Sequence, residues 1–528
     1  MRIRAVPRRA RVVVAIAALA VAVPGPALGA AGSGPATPAG DSYVTTSDPY
    51  VMAAGSSGAT FRALINSGET AFGTLFEGIP DGIGVVPAPA PLGYVDLYVA
   101  HEQSPVPFGG FADFESSSVS RVRVDIETME VLDLETVLSE DEGFIRFCSA
   151  FMAGPEHGFP HYTFLVNEES NDALTIPDGA LYGADPAYAG LNVRQAGYAV
   201  YLDTANGKVG VLAGSGRHNH ENTVIVPGGW GGIFSLSGDD TFTFPSTPDR
   251  PNLSQLYGFS AQNWKAFQKD SGVAWAFRVT GTEDGPVDPA DPFNGANDYL
   301  DMAPGDAWTG EFIEVPSDVA RGDTADAPQD ALEDWSNDNN VFQFIRVEDV
   351  AYDPDDPRVV YFADTGNNRL VDPGTGRLYR AGAGATAGGR IFKLVLNEDD
   401  PTIVDEFSIL AEATTLGMRS PDNLDVGHDS LMVQEDTSSF SKIWMYDLDA
   451  GTWTHVATAT RERAETSGIV DVSGWFGDGW WALDVQSHEN LPGALPAQVY
   501  THPVTGAQTV FTARRELGQL LLMYVPGS

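Results

Sequence analysis

The sequence predicts an all-β fold, a β-propeller with small helical insertions. Short alternating or apolar runs separated by Gly, Pro, Asn and Asp dominate the chain, and helical periodicity is scarce. Several of these runs end in acids, at Glu102, Glu168, Asp364 and Glu435. Glu102 and Glu168 are 66 residues apart, and Asp364 and Glu435 are 71 apart. Each interval holds several short strands, which is typical of a propeller blade.

The innermost strands of a propeller run along a central channel, so acids at the strand ends of different blades are expected to meet at one mouth. Packed carboxylates repel each other, and their burial without a partner is costly. The pattern therefore predicts cations or solvent at this mouth. The alternative is chance, because acids after strands are common in a chain with a formal net charge of −42.

Helices are expected only at residues 56–65, 254–269 and 328–335. The region 281–338 is rich in Asp, Pro, Gly and Ala and holds one expected strand, at 311–315. We interpret this region as a long insertion between blades, since loops of this length are usually functional or mobile.

Residues 1–31 have a basic start, a short apolar run and small residues suited to cleavage, which predicts a signal peptide. Export to the periplasm or the extracellular space is expected, by a general secretory or, from Arg8-Arg9, a twin-arginine route. Residues 32–45 form a flexible leader, and residues 46–528 a single propeller domain. No second apolar run has spanning length, so we expect no stable membrane insertion, and we expect a monomer.

The acidic composition makes nucleic acid an unfavourable partner. The single cysteine, Cys148, cannot form an internal disulfide in an exported protein. It is either an inert core thiol or a ligand or nucleophile. A thiolate beside Glu168 and Glu169 is unfavourable unless a cation lies between them.

Four further groups of residues could carry chemistry. Arg217 suits a phosphate or carboxylate, and Glu221 a hard cation. His218 and His220 could form a zinc pair, although no nearby residue completes it; the alternative is a polar turn. Arg346 and Glu348 share a short apolar strand, which could equally be a solvated edge. The remaining candidates offer oxygen ligands at turns: Asp422, Asn423, Glu435 and Glu465.

Taken in order, these motifs resemble the PhoX-type alkaline phosphatase family. The segments that carry the resemblance are FCSA (147–150), NEE (167–169), GRHNHEN (216–222), FIRVEDVAYDP (344–354), SPDNLD (420–425), VQED (433–436) and ETSGIVDVS (465–473). The resemblance implies a six-bladed propeller whose channel mouth binds a cluster of Fe³⁺ and Ca²⁺. It also implies hydrolysis of small phosphate monoesters.

The resemblance assigns roles to individual residues. Cys148 would ligate iron, while Glu168 or Glu169, Glu221 and Glu348 would bridge iron and calcium. The calcium ligands would include Asp422, Asn423, Glu435 and Glu465. Arg346 and Arg217 would hold the phosphate oxygens.

Two segments depart from the family pattern. Family members have a Thr-Pro-Trp-Gly-Thr run between the cysteine and the paired glutamates, where this chain reads AFMAGPEHGFPHYTFLV at 150–166. The Arg-Pro-Glu-Gly motif is here Arg346-Val347-Glu348-Asp349. These departures affect substrate identity more than fold or metal site.

Two other functions remain open on the sequence. Residues 363–370, ADTGNNRL, resemble a repeat of calcium-dependent propeller lactonases, a reading in which Cys148 has no role. A non-catalytic propeller would hold calcium for structural purposes only.

Overall fold

The structure is a computed structural model that describes residues 41–528 except 89–91, 109–110, 114, 242–250, 252, 292–293, 375, 381–384, 438 and 492–495. The predicted signal peptide, 1–31, and the leader up to residue 40 lie outside the described residues. No helix in the described part is long and apolar enough to span a membrane.

Most strands belong to six antiparallel units of four strands each, numbered along the chain. A strand near the N-terminus, β1 (Thr60–Asn66), belongs to the last unit. The strands of units 1 to 3, from the innermost outwards, are β2 (Pro80–Pro87), β3 (Tyr94–His101), β4 (Ser118–Asp125), β5 (Val131–Leu138); β6 (Phe147–Ala153), β7 (Thr163–Glu168), β8 (Ala199–Asp203), β9 (Lys208–Val211); β10 (His220–Ile225), β11 (Ile233–Asp239), β12 (Leu256–Ala261) and β13 (Gly272–Thr282).

A further strand, β14 (Ala307–Glu314), separates unit 3 from unit 4. The strands of units 4 to 6 are β15 (Val347–Tyr352), β16 (Val359–Asp364), β17 (Arg390–Leu396), β18 (Ile403–Glu412); β19 (Pro421–Val426), β20 (Ser430–Glu435), β21 (Lys442–Asp447), β22 (Thr452–Ala459); β23 (Glu465–Asp471), β24 (Trp480–Asn490) and β25 (Glu516–Tyr524).

The first strands of the six units, β2, β6, β10, β15, β19 and β23, form a closed ring. Each contacts the next, and β23 contacts β2. The ring is closed by strands from the two ends of the chain, because β1 pairs with β25 and so completes unit 6. The six inner strands therefore surround a central channel, and all of them run along it in the same direction.

The predicted all-β class and the propeller architecture are confirmed. The number of blades stays a prediction, because β14 pairs with both β13 and β18 and merges units 3 and 4 into one ten-stranded sheet. The expected strand at 311–315 is therefore present, although it begins earlier, at Ala307.

Neighbouring units pack face to face, and their strands are buried on both sides. In β7, Phe164 and Val166 pack against unit 1, where they meet Tyr98 of β3. Leu165, between them, packs against Phe259 of unit 3. Because side chains alternate along a strand, an unbroken apolar run such as FLV fills two core layers at once.

Helices are few and short, as expected. They are Trp264–Gln268, Ser317–Ala320, Pro328–Asp338, Ala413–Leu416 and Ser473–Phe476, with short 3-10 turns at Glu140–Glu142, Pro155–His157, Pro186–Tyr188 and Ala213–Ser215. The minor strands are Val51–Ala53, Thr70–Ala71, Thr74–Leu75, Phe111–Asp113, Ala173–Thr175, Val193–Gln195, Gly285–Pro286, Asn367–Val371, Leu378–Arg380, Ala385–Ala387, Ala497–Thr501 and Gln508–Arg514.

Of the three expected helices, the one at 328–335 is confirmed. The helix expected at 56–65 is wrong: this segment becomes β1, because pairing with β25 closes the ring and overrides the local pattern. The helix expected at 254–269 is wrong over most of its length, since β12 occupies Leu256–Ala261 and only Trp264–Gln268 is helical.

Candidate functional site

All six inner strands carry an irregularity at the same place, close to their first residue. The pairing with the second strand of the unit shifts between Phe147 and Ala150, for example, and between Val347 and Val350. The other four shifts occur at the equivalent positions. A bulge of this kind sets two consecutive residues against one partner and re-aims their side chains.

The first residue of the bulge is acidic or is Cys148 in five of the six units. These residues are Asp81, Cys148, Glu221, Glu348 and Asp422. In unit 6 the position is Gly468, whose φ is +62° and where a Cβ would lie 2.4 Å from the carbonyl oxygen of Asp81. A side chain does not fit there, and unit 6 contributes Glu465 instead.

The residue after the second strand supplies four more carboxylates, Glu102, Glu169, Asp240 and Asp436. Together with the preceding set and Glu465 they form what we call the acidic cluster, which lies at the end of the channel where the inner strands begin. The cluster thus draws residues from all six units, and most of its members are buried.

Three overlapping trios define the geometry of the cluster. The ligand atoms of Asp81, Glu102 and Cys148 lie within 4.8 Å of one another. Those of Cys148, Glu169 and Glu221 do the same, and so do those of Glu221, Asp240 and Glu348. Cys148 and Glu221 each belong to two trios, so the trios form one continuous set of donor atoms from four of the six units.

Burial and mutual repulsion disfavour ionisation in the cluster. Burial, followed by repulsion from Glu221, raises the pKa of Glu169 well above its ordinary value. Burial, followed by repulsion from Asp240, does the same to the pKa of Glu221. The pKa of the Cys148 thiol is also raised well above its ordinary value, by burial and then by repulsion from Asp81. The protein alone therefore does not hold this cluster fully charged near neutral pH.

The opposite side of the cluster is formed by units 5 and 6. Burial, followed by repulsion from Glu465, raises the pKa of Asp422 well above its ordinary value. Burial and Asp436 raise the pKa of Glu465 to about 7. His488 Nε2 lies 3.3 Å from Glu465 Oε2, and its Nδ1 lies 3.0 Å from Glu516 Oε2.

Arg346 is a cation at the edge of the cluster. Its guanidinium pairs with Asp240 and approaches Glu348, with Nη2 at 3.4 Å from Oε1. Its side chain is 19% exposed. Burial lowers the pKa of Arg346, but the two carboxylates raise it further, so the group is charged. A partly exposed, charged guanidinium beside the cluster can bind an anion.

A second polar layer lies directly beneath the cluster and holds it in place. Ser149 Oγ donates to Glu221 Oε2 at 2.9 Å, and Asn423 Nδ2 donates to Ser149 Oγ at 2.7 Å. Asn423 also accepts from the amide of Gly468 at 3.2 Å. Asn423 therefore supports a cluster residue through Ser149 and does not belong to the trios.

Two predicted ligands point away from the channel. Glu168 is fully buried in an ion pair with Arg194, whose Nη2 lies 2.6 Å from Oε1. Glu435 accepts from the amides of Arg419 and Lys442 and from the Trp444 indole, at 2.9–3.2 Å. Glu168 pairs with Phe147 and Glu435 pairs with Pro421. In both cases the partner is the inner-strand residue just before the cluster residue. We call acids paired in this way anchors.

Arg217 is also committed to other partners. It is 1% exposed, its Nη1 donates to Asp185 Oδ1 at 3.1 Å, and its guanidinium carbon lies 3.7 Å from the centroid of the Tyr198 ring. No surface of this side chain is open to a substrate. The predicted histidine pair is stacked, and both nitrogens of His220 are hydrogen-bonded, to Ser237 and to the carbonyl of Gly216.

Sequence reasoning missed four members of the cluster as ligands: Asp81, Glu102, Asp240 and Asp436. A usable signal exists for each. Asp81 follows a proline at the start of an inner strand, as Asp422 does, and the other three are the second of two polar residues at the end of a strand. Four of the predicted ligands do lie in the trios, namely Cys148, Glu169, Glu221 and Glu348.

The donor set of the cluster fits metal ions. Asp81 Oδ1 is buried and has no hydrogen-bond partner among the described residues. A thiol beside two carboxylates suits a transition metal, while the carboxylate trios suit harder cations such as calcium. Bound cations would remove the repulsion that otherwise keeps these groups protonated.

No protein-family model and no curated protein matches the chain. Among solved structures, Pseudomonas fluorescens PhoX in complex with vanadate, a transition state analogue, is similar with a TM-score of 0.58 and 14% identity, over 92% of this chain and 97% of that chain. This similarity shows that the chain has a PhoX-like propeller fold.

Two further structures are similar at lower scores. The PQQ-bound aldose sugar dehydrogenase from Streptomyces coelicolor has a TM-score of 0.31 and 12% identity, over 88% of this chain and 100% of that chain. The periplasmic gluconolactonase of Pseudomonas aeruginosa has a TM-score of 0.31 and 11% identity, over 72% and 85%.

Proposed function

We propose that the chain is an exported, monomeric, metal-dependent phosphomonoesterase that holds iron and calcium in the acidic cluster. The observation that carries the proposal is the overlap of the three trios, which share Cys148 and Glu221. Shared donors suit adjacent ions rather than a single one. The PhoX structure with the same fold contains vanadate, a transition state analogue, which supports phosphate chemistry at such a site.

Within the proposal, the trios divide by chemistry. Cys148, with Glu169 and Glu221, would hold iron, because a thiolate prefers transition metals. The all-oxygen side, with Glu348, Asp422 and Glu465, would hold calcium. When bound, the ions would supply positive charge for the phosphate group and acidify a water molecule. Glu168 and Glu435 are left out of this assignment, because buried partners already occupy their oxygens.

Arg346 would bind the phosphate oxygens. Without cations the cluster repels any anion, and Arg346 is held by Asp240 and Glu348. Once cations neutralise these two carboxylates, the guanidinium can offer its donors to a phosphate group and stabilise charge that develops on its oxygens. Its partial exposure gives a substrate access that Arg217 lacks.

Metal analysis and an aryl phosphate assay test the proposal on the full chain. We expect iron near stoichiometry, several calcium ions, and hydrolysis that a chelator abolishes. Cys148→Ala should lose iron and activity together, and Arg346→Met should retain the metals but lose about 10²–10³-fold in kcat. Glu462→Gln, at an exposed position outside the trios, removes one charge and should change neither.

Other results would replace this function. Calcium without iron, an active Cys148→Ala variant and turnover of a lactone would establish the lactonase alternative. Calcium without hydrolysis of either ester would establish a non-catalytic propeller.

A further inference from the structure

The opposite end of the channel, where the inner strands end, opens into a cavity of about 260 Å³. Every inner strand contributes to its wall, among others through Val85, Met152, Val224 and Val426. The loop between β6 and β7 and the helix Ser473–Phe476 complete the rim. A concave site of this kind, with a largely apolar wall and a few polar groups, is typical of small-molecule binding.

The charged groups of the cavity all have one sign. Glu156, Asp349, Asp425 and Asp471 line it, and no lysine or arginine does so among the described residues. His157 adds no positive charge, since burial lowers its pKa to about 4. Burial raises the pKa of Asp349 and of Asp425 to about 7. A cation bound beside them favours their ionised form, whereas an anion such as a phosphate ester disfavours it.

Aromatic rings line part of the cavity, and a hydrogen bond joins two of them. His157 Nε2 lies 2.8 Å from the hydroxyl of Tyr352. The ring of Phe151 packs edge-on against His157, with centroids 5.0 Å apart. Tyr162 and Trp475 also line the cavity. Aromatic faces attract cations that carry their charge on an apolar body.

One buried group in the cavity lacks a partner. Asp349 is 5% exposed, and its Oδ2 accepts from Asn423 Nδ2 and from the amide of Leu424, each at 3.3 Å. Its Oδ1 has no hydrogen-bond partner among the described residues. A buried carboxylate oxygen without a donor calls for a ligand that supplies positive charge or a hydrogen bond.

We propose that this cavity binds an organic ammonium ion, with its charged nitrogen facing the carboxylates and its alkyl groups against the aromatic wall. A divalent metal ion fits less well, because no three cavity carboxylates in the described part of the chain converge within 4.8 Å as the trios do. The proposal does not depend on the function of the acidic cluster at the other end.

Calorimetric titration with choline and with its uncharged isostere 3,3-dimethyl-1-butanol tests the inference, in the presence and absence of calcium. We expect saturable binding of choline in both buffers and none of the isostere. Asp425→Asn keeps the acceptor that Asp471 N uses but removes the charge, and it should weaken choline at least about tenfold, as should Trp475→Ala. Asp429→Asn, exposed and outside the cavity, should bind like the unmodified chain.

Several outcomes would overturn the inference. Equal binding of the isostere would make the cavity a plain apolar site. Loss of choline binding in calcium would make it a divalent-ion site. Retained binding by both cavity variants, with unchanged melting temperatures, would place choline elsewhere.

Discussion

Two adjacent glutamates at the end of β7 have opposite surroundings. Glu168, the anchor, meets Arg194 in a fully buried ion pair. Glu169, one residue later, lies in a trio with Cys148 and Glu221, and burial and then repulsion from Glu221 raise its pKa. A carboxylate with a structural role forms an ion pair with a cationic side chain of the same protein. The acidic cluster has too few internal counter-charges, so its counter-charge has to come from outside.

The same contrast recurs in other units. In unit 5, Glu435 has three N–H donors, while Asp436 faces Asp422 and Glu465. In unit 4, Asp364 accepts from the amides of Ile345 and Gly366 at 2.8 and 2.9 Å. In units 2, 4 and 5 the anchor therefore accepts a hydrogen bond from the backbone just before the inner strand.

The largest effect on stability is expected at an anchor. Glu168→Ala leaves Arg194 charged and buried without its partner, which should lower the free energy of unfolding by about 3–5 kcal/mol. Chemical denaturation measures this change. The double variant Glu168→Gln/Arg194→Met should recover much of the loss. Glu169→Ala should leave the stability of the metal-free protein unchanged or higher but lose bound metal, and the reverse pattern would invalidate the contrast.

Removal of metal should make the stability of the protein depend on pH, because the carboxylates of the cluster then repel one another. The folded state holds Glu465 with a pKa of about 7 against an ordinary 4.5, because of burial and Asp436. The folded protein then binds more protons than the unfolded chain, so stability is full below about pH 4.5 and falls as pH rises to about 7.

Thermal melts of chelated and metal-loaded protein at pH 5 and pH 8 measure this dependence. Chelated protein should melt several degrees lower at pH 8 than at pH 5, whereas loaded protein should not. Glu465→Gln should reduce the difference in the chelated state. Identical pH profiles for the two states would mean that the cluster does not depend on external cations.

A moderate effect is expected at the anchor of unit 5. Glu435→Ala removes the acceptor of two amides and of the Trp444 indole, and it should cost about 1–3 kcal/mol of stability. Metal content of the folded variant should not change. Asp436→Asn is the matched control, because it should lower calcium content and leave unfolding unaffected. A loss of calcium in Glu435→Ala alone would make that residue a ligand.

The sequence predicts that acids collect at the channel mouth, but it does not decide which acid of a pair faces inwards. Side chains alternate along a strand, so a shift of one residue exchanges the anchor and the cluster position. The pairing of Phe147 with Glu168 and the bulge that follows it fix this choice, and both are tertiary features. Asp240, after Asp239, carries the same two-acid signal as Glu169, although it lies in no motif of the family.

The strands themselves follow closely from local pattern, except at 56–65 and 254–261, where helices are expected. Residues 359–362, 390–396 and 442–447 are short apolar or alternating runs of the kind that predicts strands, and they lie in β16, β17 and β21. The segment 56–65 has no such pattern. It becomes β1 because it pairs with β25, which lies more than 400 residues later in the chain. Closure of the ring is a global constraint that no local window contains.

The smallest effect on stability is expected in the polar layer beneath the cluster, whose residues are neither anchors nor members of the acidic cluster. Asn423→Ala removes the donor to Ser149 and the acceptor for Gly468 N, which should cost about 1 kcal/mol of stability. Because Ser149 orients Glu221, metal affinity should also fall, by about tenfold. Metal titration of the chelated variant measures this, and Asn423→Asp, which keeps the acceptor, should retain the Gly468 contact. A stability loss without any change in metal affinity would show that Asn423 stabilises the fold without orienting Glu221.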